Sequence, residues 1–235
     1  MTHLVASAFS LGCLGLCALL GFVLAASVPD SPVTRPWNPT QPFALTDQLT
    51  PVTPLKLWKV GRNPALCRAA LDDPELDVTF QEPLVVSEQC FISNRVTVSK
   101  VGQAGLDPVE TQCQTALRLA LWERHGVRPA AQAFLGQPVA GIEQIGSYNC
   151  RPIRGSQRMS THATAASIDI SGFRLADGRV IDLAQDWDST GPDAEFLRTV
   201  RDAACRWFET VLGPDFNALH ADHFHLQLRG FGTCR

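Results

Sequence analysis

The sequence contains no run of lysine and arginine residues interleaved with aromatic residues, and its formal net charge at pH 7 is only −3. Proteins that bind nucleic acid carry a basic surface for the phosphates, so we expect no nucleic-acid partner. The 235 residues also contain no CxxC motif. A zinc site built from cysteine thiolates needs such close pairs, so the cysteines indicate a different role.

The beginning of the chain lacks charge. Residues 4–26 contain no Asp, Glu, Lys or Arg, which predicts that residues 1–27 form a secretory signal peptide or an uncleaved membrane anchor. The length of the apolar run and the absence of Lys and Arg before it favour an inner-membrane anchor. The small residues of Val23-Leu-Ala25 and Ala25-Ala-Ser27 offer cleavage sites. Both interpretations stay open, and both imply export.

Six of the eight cysteines lie beyond this segment, an even number in a chain predicted to be exported. Three disulfides in an oxidising compartment are the simplest explanation. Six cysteines allow fifteen connectivities, and the sequence does not choose among them. The six are Cys67, Cys90, Cys113, Cys150, Cys205 and Cys234.

A proline-rich stretch follows the export segment. Seven prolines occur from Pro29 to Pro54, mixed with Thr, Ser and Gln, which is typical of an extended tether. We therefore expect a linker over residues 28–56. The 45% hydrophobic content supports a packed core, so we expect one folded domain over residues 57–235. The alternative is that the part around Trp37, Phe43 or Trp58 packs onto the domain.

The order of predicted strands and helices indicates an α+β domain. Alternating apolar residues indicate short strands or a hairpin over 78–101, and apolar residues at helical spacing indicate a helix over 193–212. Asp107-Pro-Val-Glu110 carries the capping residues of a helix start, so we expect a helix from there to Gly126. The other predicted elements are a short helix over 129–135, a strand over 139–148, a hairpin over 168–183 that turns at Asp177-Gly178, and a final strand over 219–228.

Four of the six histidines lie in two short segments, which suggests a metal site. The first segment contains His162 and Asp169, and the second contains His220, His223 and His225. Residues two apart on a strand share a face, so His223 and His225 can approach one ion from the same side. Asp169 stands between Ile168 and Ile170, where an unpaired buried charge would be costly.

A catalytic zinc ion keeps three protein ligands and leaves a fourth position to water. His162, Asp169 and one of the last two histidines supply that set. Such an ion lowers the pKa of its water to roughly 7 and polarises a substrate carbonyl. His223 is our candidate for the general base, with Asp222 as the competing candidate. On an ideal strand Asp222 points away, which favours His223.

The motifs carry a family resemblance. The pattern SxHxxxxxxD followed by HxH resembles that of the zinc D-Ala-D-Ala carboxypeptidases and of the wider group that includes lysostaphin-type endopeptidases and Sonic hedgehog. The stretch Gly146 to Arg151 is similar to their SGYR element. The run from Gly146 to Phe173, with 202–206 and 220–226, resembles more closely the bacterial proteins called extensin-like for their C-terminal domain. The resemblance covers residues 57–235.

The resemblance implies a role for each matching residue. His162, Asp169 and His225 would bind Zn²⁺, and His223 would assist catalysis. Arg151 would contact the substrate carboxylate or the developing oxyanion, and Ser160 would support the histidine loop. Tyr148 is either a core residue or a donor near the reaction centre, and His220 is either a surface residue or a further residue of the site.

Two departures from the carboxypeptidase pattern bear on these roles. Ala165 and Ser167 stand where that pattern has Gly and Ala, although the extensin-like proteins share the first change. The spacing between Arg151 and His162 is shorter than in the carboxypeptidases. Arg154 and Arg158 therefore remain substitutes for Arg151.

The resemblance implies an α+β fold of the hedgehog and D,D-peptidase type, a small antiparallel sheet with flanking helices. We therefore expect an exported, periplasmic and monomeric zinc metallopeptidase that hydrolyses peptidoglycan stem peptides or crosslinks as a D,D-carboxypeptidase or endopeptidase. The alternative is a non-catalytic module that binds the cell wall and holds zinc structurally. A hydrolase of another bond is a weaker alternative, because phosphoesterases usually need more carboxylates around the metal.

Overall fold

The computed structural model of the protein describes residues 2–235, with side chains described from Leu14 onward. The side chains of residues 1–13, which belong to the predicted export segment, lie outside the described part. The chain divides into two compact units, Met1–Leu66 and Cys67–Arg235.

The first unit contains helix α1 (Thr2–Ser27), a 3₁₀ turn (Arg35–Trp37) and helix α2 (Thr53–Val60). The proline-rich stretch between the helices contains buried polar and apolar side chains, among them Asn38, Phe43 and Asp47. The amide of Asn38 donates to the carbonyl of Ala26 at 2.9 Å, and Asp47 pairs with Arg35 at 2.6 Å. Among the residues with described side chains, no helix has both the length and the apolar character needed to cross a membrane.

The elements that follow α2 combine helices with short strands. In chain order they are α3 (Pro64–Leu71), β1 (Asp77–Phe80), β2 (Leu84–Val85), β3 (Phe91–Ile92), β4 (Arg95–Val101), β5 (Ala104–Gln112), α4 (Cys113–Trp122), α5 (Arg128–Ala130), β6 (Val139–Gly146), β7 (Ser167–Leu175), β8 (Val180–Asp182), α6 (Leu183–Asp186), α7 (Pro192–Ala204), β9 (Thr210–Leu212), β10 (Phe224–Gln227) and β11 (Thr233–Cys234). Single π-helical turns over Glu123–Val127 and Ala131–Leu135 flank α5.

One mostly antiparallel sheet organises the second unit. Its strands lie in the order β1-β4-β5-β6-β7-β10-β9-β11, and β8 pairs with β7. The β5–β6 and β9–β11 pairs are parallel, and β2 and β3 form a separate hairpin. The predicted α+β class is confirmed. The hairpin predicted over 168–183 is confirmed as β7 and β8, which turn at Gly178 with a φ of 89°.

Aromatic packing fixes the central strand β7 against the helices. Phe173 of β7 is fully buried, and its ring lies 5.9 Å from Trp122 of α4 and 5.0 Å from Phe196 of α7. Trp122 Nε1 also donates to the carbonyl of Val200 at 2.8 Å. Burial of each such ring stabilises the fold by roughly 1.5–3 kcal/mol. The strand that carries Asp169 therefore rests on a rigid support.

Three disulfides join distant parts of the second unit, as the cysteine count predicts. Their connectivity is Cys67–Cys113, Cys90–Cys150 and Cys205–Cys234. Disulfides form and persist in oxidising compartments, so they indicate an oxidising, exported environment.

The prediction of a helix that begins at Asp107 is wrong. Residues 104–112 form β5, and the helix begins only at Cys113. Strand β5 pairs antiparallel with β4, and Leu106, Val109 and Thr111 become buried. Pairing and burial across the sheet outweigh a local capping pattern, which contributes only about 1 kcal/mol.

Two further predicted elements need correction. The helix predicted over 193–212 ends at Ala204, because residues 210–212 form β9 between β10 and β11. Directly after the end of the helix, the Cys205–Cys234 disulfide links the chain to β11, which lies beside β9. The final strand predicted over 219–228 covers only Phe224–Gln227, and β11 follows it.

Candidate functional site

The pairing of β7 with β10 brings the two histidine-containing segments together. Asp169 of β7 lies directly opposite His225 of β10 in the antiparallel register. Opposite residues in an antiparallel pair project their side chains to the same face, with Cβ atoms about 5 Å apart. The carboxylate and the imidazole are therefore neighbours although 55 residues separate them along the chain.

His162 reaches the same point from a 3₁₀ turn, Thr161–Thr164, that precedes β7. Ser160 caps the turn, since its hydroxyl accepts from the backbone N–H of His162 at 3.3 Å. The turn ends at Ala165, whose φ of 51° lies in the left-handed region that glycine adopts most easily. The Thr115 hydroxyl donates to the carbonyl of Ala165 at 2.8 Å. That bond helps hold Ala165 in this conformation.

Three side chains that could hold a metal ion converge at this point. His162 Nε2 lies 3.1 Å from Asp169 Oδ2 and 3.1 Å from His225 Nδ1. His225 Nδ1 lies 2.8 Å from Asp169 Oδ1. Both histidines are buried, with exposed fractions of 4% and 8%. His162, Asp169 and His225 are the only group of three or more such side chains within metal-binding reach among the described residues.

Hydrogen bonds on the far side of each ring fix the imidazole tautomers. His162 Nδ1 donates to the carbonyl of Ser147 at 2.8 Å, and His225 Nε2 donates to Oε1 of Gln227 at 3.0 Å. The amide of Gln227 is oriented by its Nε2, which donates to the carbonyl of Arg229. The proton of each ring is therefore on the nitrogen that faces away from Asp169. The lone pairs of the other two nitrogens, His162 Nε2 and His225 Nδ1, point at Asp169 and at each other.

This arrangement needs a positive charge at its centre. Burial opposes the ionisation of Asp169, but when the facing nitrogens of His162 and His225 also carry protons, their hydrogen bonds and charges outweigh it and hold the pKa of this carboxyl far below its usual range. Two lone pairs and a carboxylate at 2.8–3.1 Å repel one another unless a cation or a proton lies between them. Zinc bonds of about 2.0–2.1 Å in a tetrahedron separate neighbouring ligand atoms by about 3.3–3.4 Å. The donor set fits such an ion.

The predicted base lies beside the ligand cluster. His223 directly precedes β10, and its Nε2 lies 3.9 Å from Asp169 Oδ1. Its Nδ1 bonds the carboxylate of Asp222 at 2.7 Å. The side chain of Asp222 is 68% exposed and contacts His223 instead of the cluster. Asp222 therefore orients the histidine and leaves Nε2 towards the centre.

His220 completes a row of imidazoles along the edge of the cluster. Its ring centroid lies 5.3 Å from that of His223 and 5.8 Å from that of His225. Burial, followed by the neighbouring His225 and His223, lowers the pKa of His220 to about 4. Its Nδ1 contacts Oδ1 of Asn217 at 2.8 Å. His220 is thus held next to the ligands without belonging to their set.

The predicted arginines lie on a small hairpin loop between Cys150 and Ser160. Arg151 is at its base, where its carbonyl accepts from the N–H of Ser160 at 3.1 Å. Arg154 and Arg158 lie further towards the tip, where the N–H of Ile153 bonds the carbonyl of Arg158. All three arginines are exposed, and their guanidinium groups make no ion pair with the described residues. The backbone bond to Ser160 places Arg151 next to the turn that carries His162.

Tyr148 follows Ser147 directly in the sequence, and Ser147 and Gln227 contact the candidate ligands. The hydroxyl of Tyr148 is buried and has no hydrogen-bond partner among the described residues. Gln227 and the carbonyl of Ser147 were absent from our sequence-based site. Gln227 stands two positions after His225 on one strand, and that spacing places both on one face. Ser147 contributes its backbone carbonyl. Every residue type has this group, so the sequence gives no signal for the role of Ser147.

The family comparison covers most of the chain. Residues 65–235 match the family model described as extensin-like protein C-terminus. No curated protein and no solved structure matches the sequence.

Proposed function

The chain belongs to the extensin-like protein C-terminus family, and on this basis, together with the cluster at His162, we propose that it is an exported zinc-dependent D,D-peptidase. Its substrates would be the stem peptides or crosslinks of peptidoglycan in the periplasm. The fold would be that of the hedgehog and D,D-peptidase group. The proposals of peptidase activity and of zinc as the metal rest on the ligand chemistry and on the resemblance of the motifs.

One observation carries the proposal: the described residues offer three ligands, His162, Asp169 and His225, to one point. Structural zinc sites are closed by four protein ligands, whereas catalytic sites keep three and leave one position open. The set therefore favours a catalytic site over the structural zinc site of a wall-binding module. Zinc held there would polarise a peptide carbonyl and lower the pKa of a bound water to roughly 7.

The remaining chemistry falls to side chains beside the ligands. His223 would accept a proton from the attacking water through Nε2 and return it to the leaving amine. Asp222 would keep the ring in the required orientation and stabilise its protonated form, as their 2.7 Å contact allows. Arg151 would bind a carboxylate or the developing oxyanion, since guanidinium groups match carboxylates with paired hydrogen bonds. Ser160 would hold the turn that presents His162.

The test is mass spectrometry of muropeptides after incubation with the mature protein, with and without a chelator. We expect loss of a terminal D-residue or of a crosslink, and no reaction when the metal is removed. His162→Ala and Asp169→Ala should lose both metal content and turnover. Asp177→Ala, at the exposed β7–β8 turn, is the matched control and should behave like the wild type.

Two outcomes would contradict the proposal. Full activity of a metal-free Asp169→Ala protein would exclude a metal-dependent reaction at this site. Tight binding to purified peptidoglycan with one zinc per chain and no cleavage would instead support the non-catalytic wall-binding module.

A further inference from the structure

The central sheet has a gap between β5 and β6. The two strands run parallel, and one aligned pair of residues, Gly105 opposite Gly141, joins them. Beyond that pair, side chains make the connections in the described structure. Gln144 Nε2 donates to the carbonyl of Asp107 at 3.3 Å, and the hydroxyls of Thr111 and Ser147 lie 2.7 Å apart. The edges of both strands therefore face each other without a continuous ladder of backbone hydrogen bonds.

An open groove of about 420 Å³ occupies this gap, lined by residues 108–110 of β5 and by residues 144–148. Its size lies within the roughly 300–1,000 Å³ of typical ligand sites. Ile145 is 58% exposed at its edge. Unpaired strand edges present backbone N–H and C=O groups to which an extended peptide can add. The groove thus has the shape and the chemistry to receive a peptide main chain.

Unpaired polar atoms also concentrate at this groove. Among the described residues, three buried side-chain atoms have no hydrogen-bond partner, and two of them belong to groove residues: Gln144 Oε1 and Tyr148 Oη. One is an acceptor and the other can donate. Buried polar groups in proteins are nearly always paired, so an unpaired one indicates a missing partner. An amide of a peptide provides both complementary groups.

The groove is continuous with the metal centre. Ser147 lines the groove with its own atoms, and its carbonyl holds Nδ1 of His162 at 2.8 Å. Tyr148 follows Ser147 directly and precedes the loop that begins at Cys150 and carries Arg151. A peptide that lay in the groove would therefore extend towards the ligand cluster.

We infer that the gap between β5 and β6 binds a stretch of extended peptide next to the metal centre. Tyr148 Oη donates to a carbonyl of that peptide, and Gln144 Oε1 accepts from one of its N–H groups. Protein atoms cover both of these atoms in the free protein. Peptide binding must therefore turn the two side chains into the groove. The inference rests on the proposed function for the identity of the peptide, which is the part of a peptidoglycan stem adjacent to the cleaved bond.

The test measures binding of a synthetic peptidoglycan stem pentapeptide ending in two D-alanines to the full chain after chelator treatment, so that hydrolysis does not consume it. Tyr148→Phe should raise the Kd roughly 3- to 10-fold, the effect of one neutral hydrogen bond. Gln144→Leu should raise it similarly. Gln137→Leu, at a half-buried glutamine before β6, is the matched control and should leave the Kd unchanged. Thermal unfolding should show no loss of stability in Tyr148→Phe, since no described residue bonds its hydroxyl in the free protein.

The results separate this inference from the proposed function. Absence of peptide binding, or an unchanged Kd in both Tyr148→Phe and Gln144→Leu, would overturn the groove as a peptide site even if the metal-loaded enzyme cleaves muropeptides. Weaker binding in both variants would support the groove even if no peptide bond is cleaved, in which case only the peptidase proposal fails.

Discussion

His225 donates from Nε2 to Oε1 of Gln227 at 3.0 Å, and this bond turns the other ring nitrogen towards Asp169 and His162. A ligand histidine needs such a partner, because a free imidazole samples both tautomers and several orientations. Gln227 is in turn held by the hydroxyl of Thr161 at 2.9 Å, from the turn that carries His162. The residues behind the ligands thus connect the two segments of the site.

Replacement of Gln227 should weaken metal binding without removing a ligand. In Gln227→Leu the Nε2–H of His225 loses its acceptor, so we expect zinc affinity to fall about 10- to 100-fold, as for other partners of ligand histidines. Gln227→Glu keeps an acceptor and should retain most of the affinity. Competition titration against a chromophoric chelator measures this. An affinity of Gln227→Leu equal to that of the wild type would exclude the proposed tautomer control.

Asp222 should affect turnover and leave metal binding intact. Among the described residues it bonds His223, through the 2.7 Å contact to Nδ1, and it is not in the candidate metal cluster, so Asp222→Ala removes the orientation of the proposed base but no candidate ligand. We expect kcat to fall by about 10-fold with KM and zinc content unchanged, and His223→Ala to cost about 10²- to 10⁴-fold. Steady-state kinetics with metal analysis measures these changes. A loss of zinc in Asp222→Ala would show that it acts on the metal site itself.

The disulfide between Cys90 and Cys150 should contribute strongly to stability. It closes a long loop, with the two cysteines 60 residues apart in sequence, and it fixes the chain directly before Arg151. Cys90→Ala combined with Cys150→Ala should lower the free energy of unfolding by about 2–4 kcal/mol. Denaturant unfolding under oxidising conditions measures the loss. Cys17→Ser is the control, because Cys17 is exposed and forms no disulfide with any cysteine in the described part of the chain, and it should unfold like the wild type.

His125 should make the protein less stable in acid. Its ring packs 5.5 Å from Trp207. Burial, followed by the charges of Arg124, Arg206 and Arg128, holds its pKa below the usual 6.5. The unfolded chain therefore binds a proton at His125 that the folded chain does not. Stability from this group is present above pH 6.5 and falls as the pH drops through the lowered pKa.

The variant that tests this effect is His125→Phe. It keeps an aromatic ring beside Trp207 and removes Nε2, which is buried and has no hydrogen-bond partner in the part of the chain that the structure describes. Its free energy of unfolding should rise relative to that of the wild type as the pH falls through 6.5, the usual pKa of histidine. Urea unfolding at several pH values measures the difference. A difference that stays constant with pH would mean that His125 protonates equally in both states.

The sequence predicted the local structure correctly where a short pattern of residues determines it. The turn at Asp177-Gly178 needs a residue with positive φ, and Gly178 meets that need at 89°. The even number of cysteines predicted three disulfides, and three are present. Asp107-Pro-Val-Glu110, in contrast, has a local helix signal that the pairing of β5 with β4 overrides. Local preferences of about 1 kcal/mol decide a structure only where no larger long-range term opposes them.

At the candidate site, the residue types alone predicted the ligand chemistry. His162, Asp169 and the last histidines are zinc-binding residue types, and their clustering in two segments is visible without a structure. The tertiary structure alone decided which atoms meet. The register of β7 with β10 sets Asp169 opposite His225, and the fold brings the carbonyl of Ser147 next to His162. The fold also selects one of the fifteen possible disulfide connectivities. The physical reason is that residue type fixes what a side chain can bind, whereas distances depend on pairings between segments far apart in the chain.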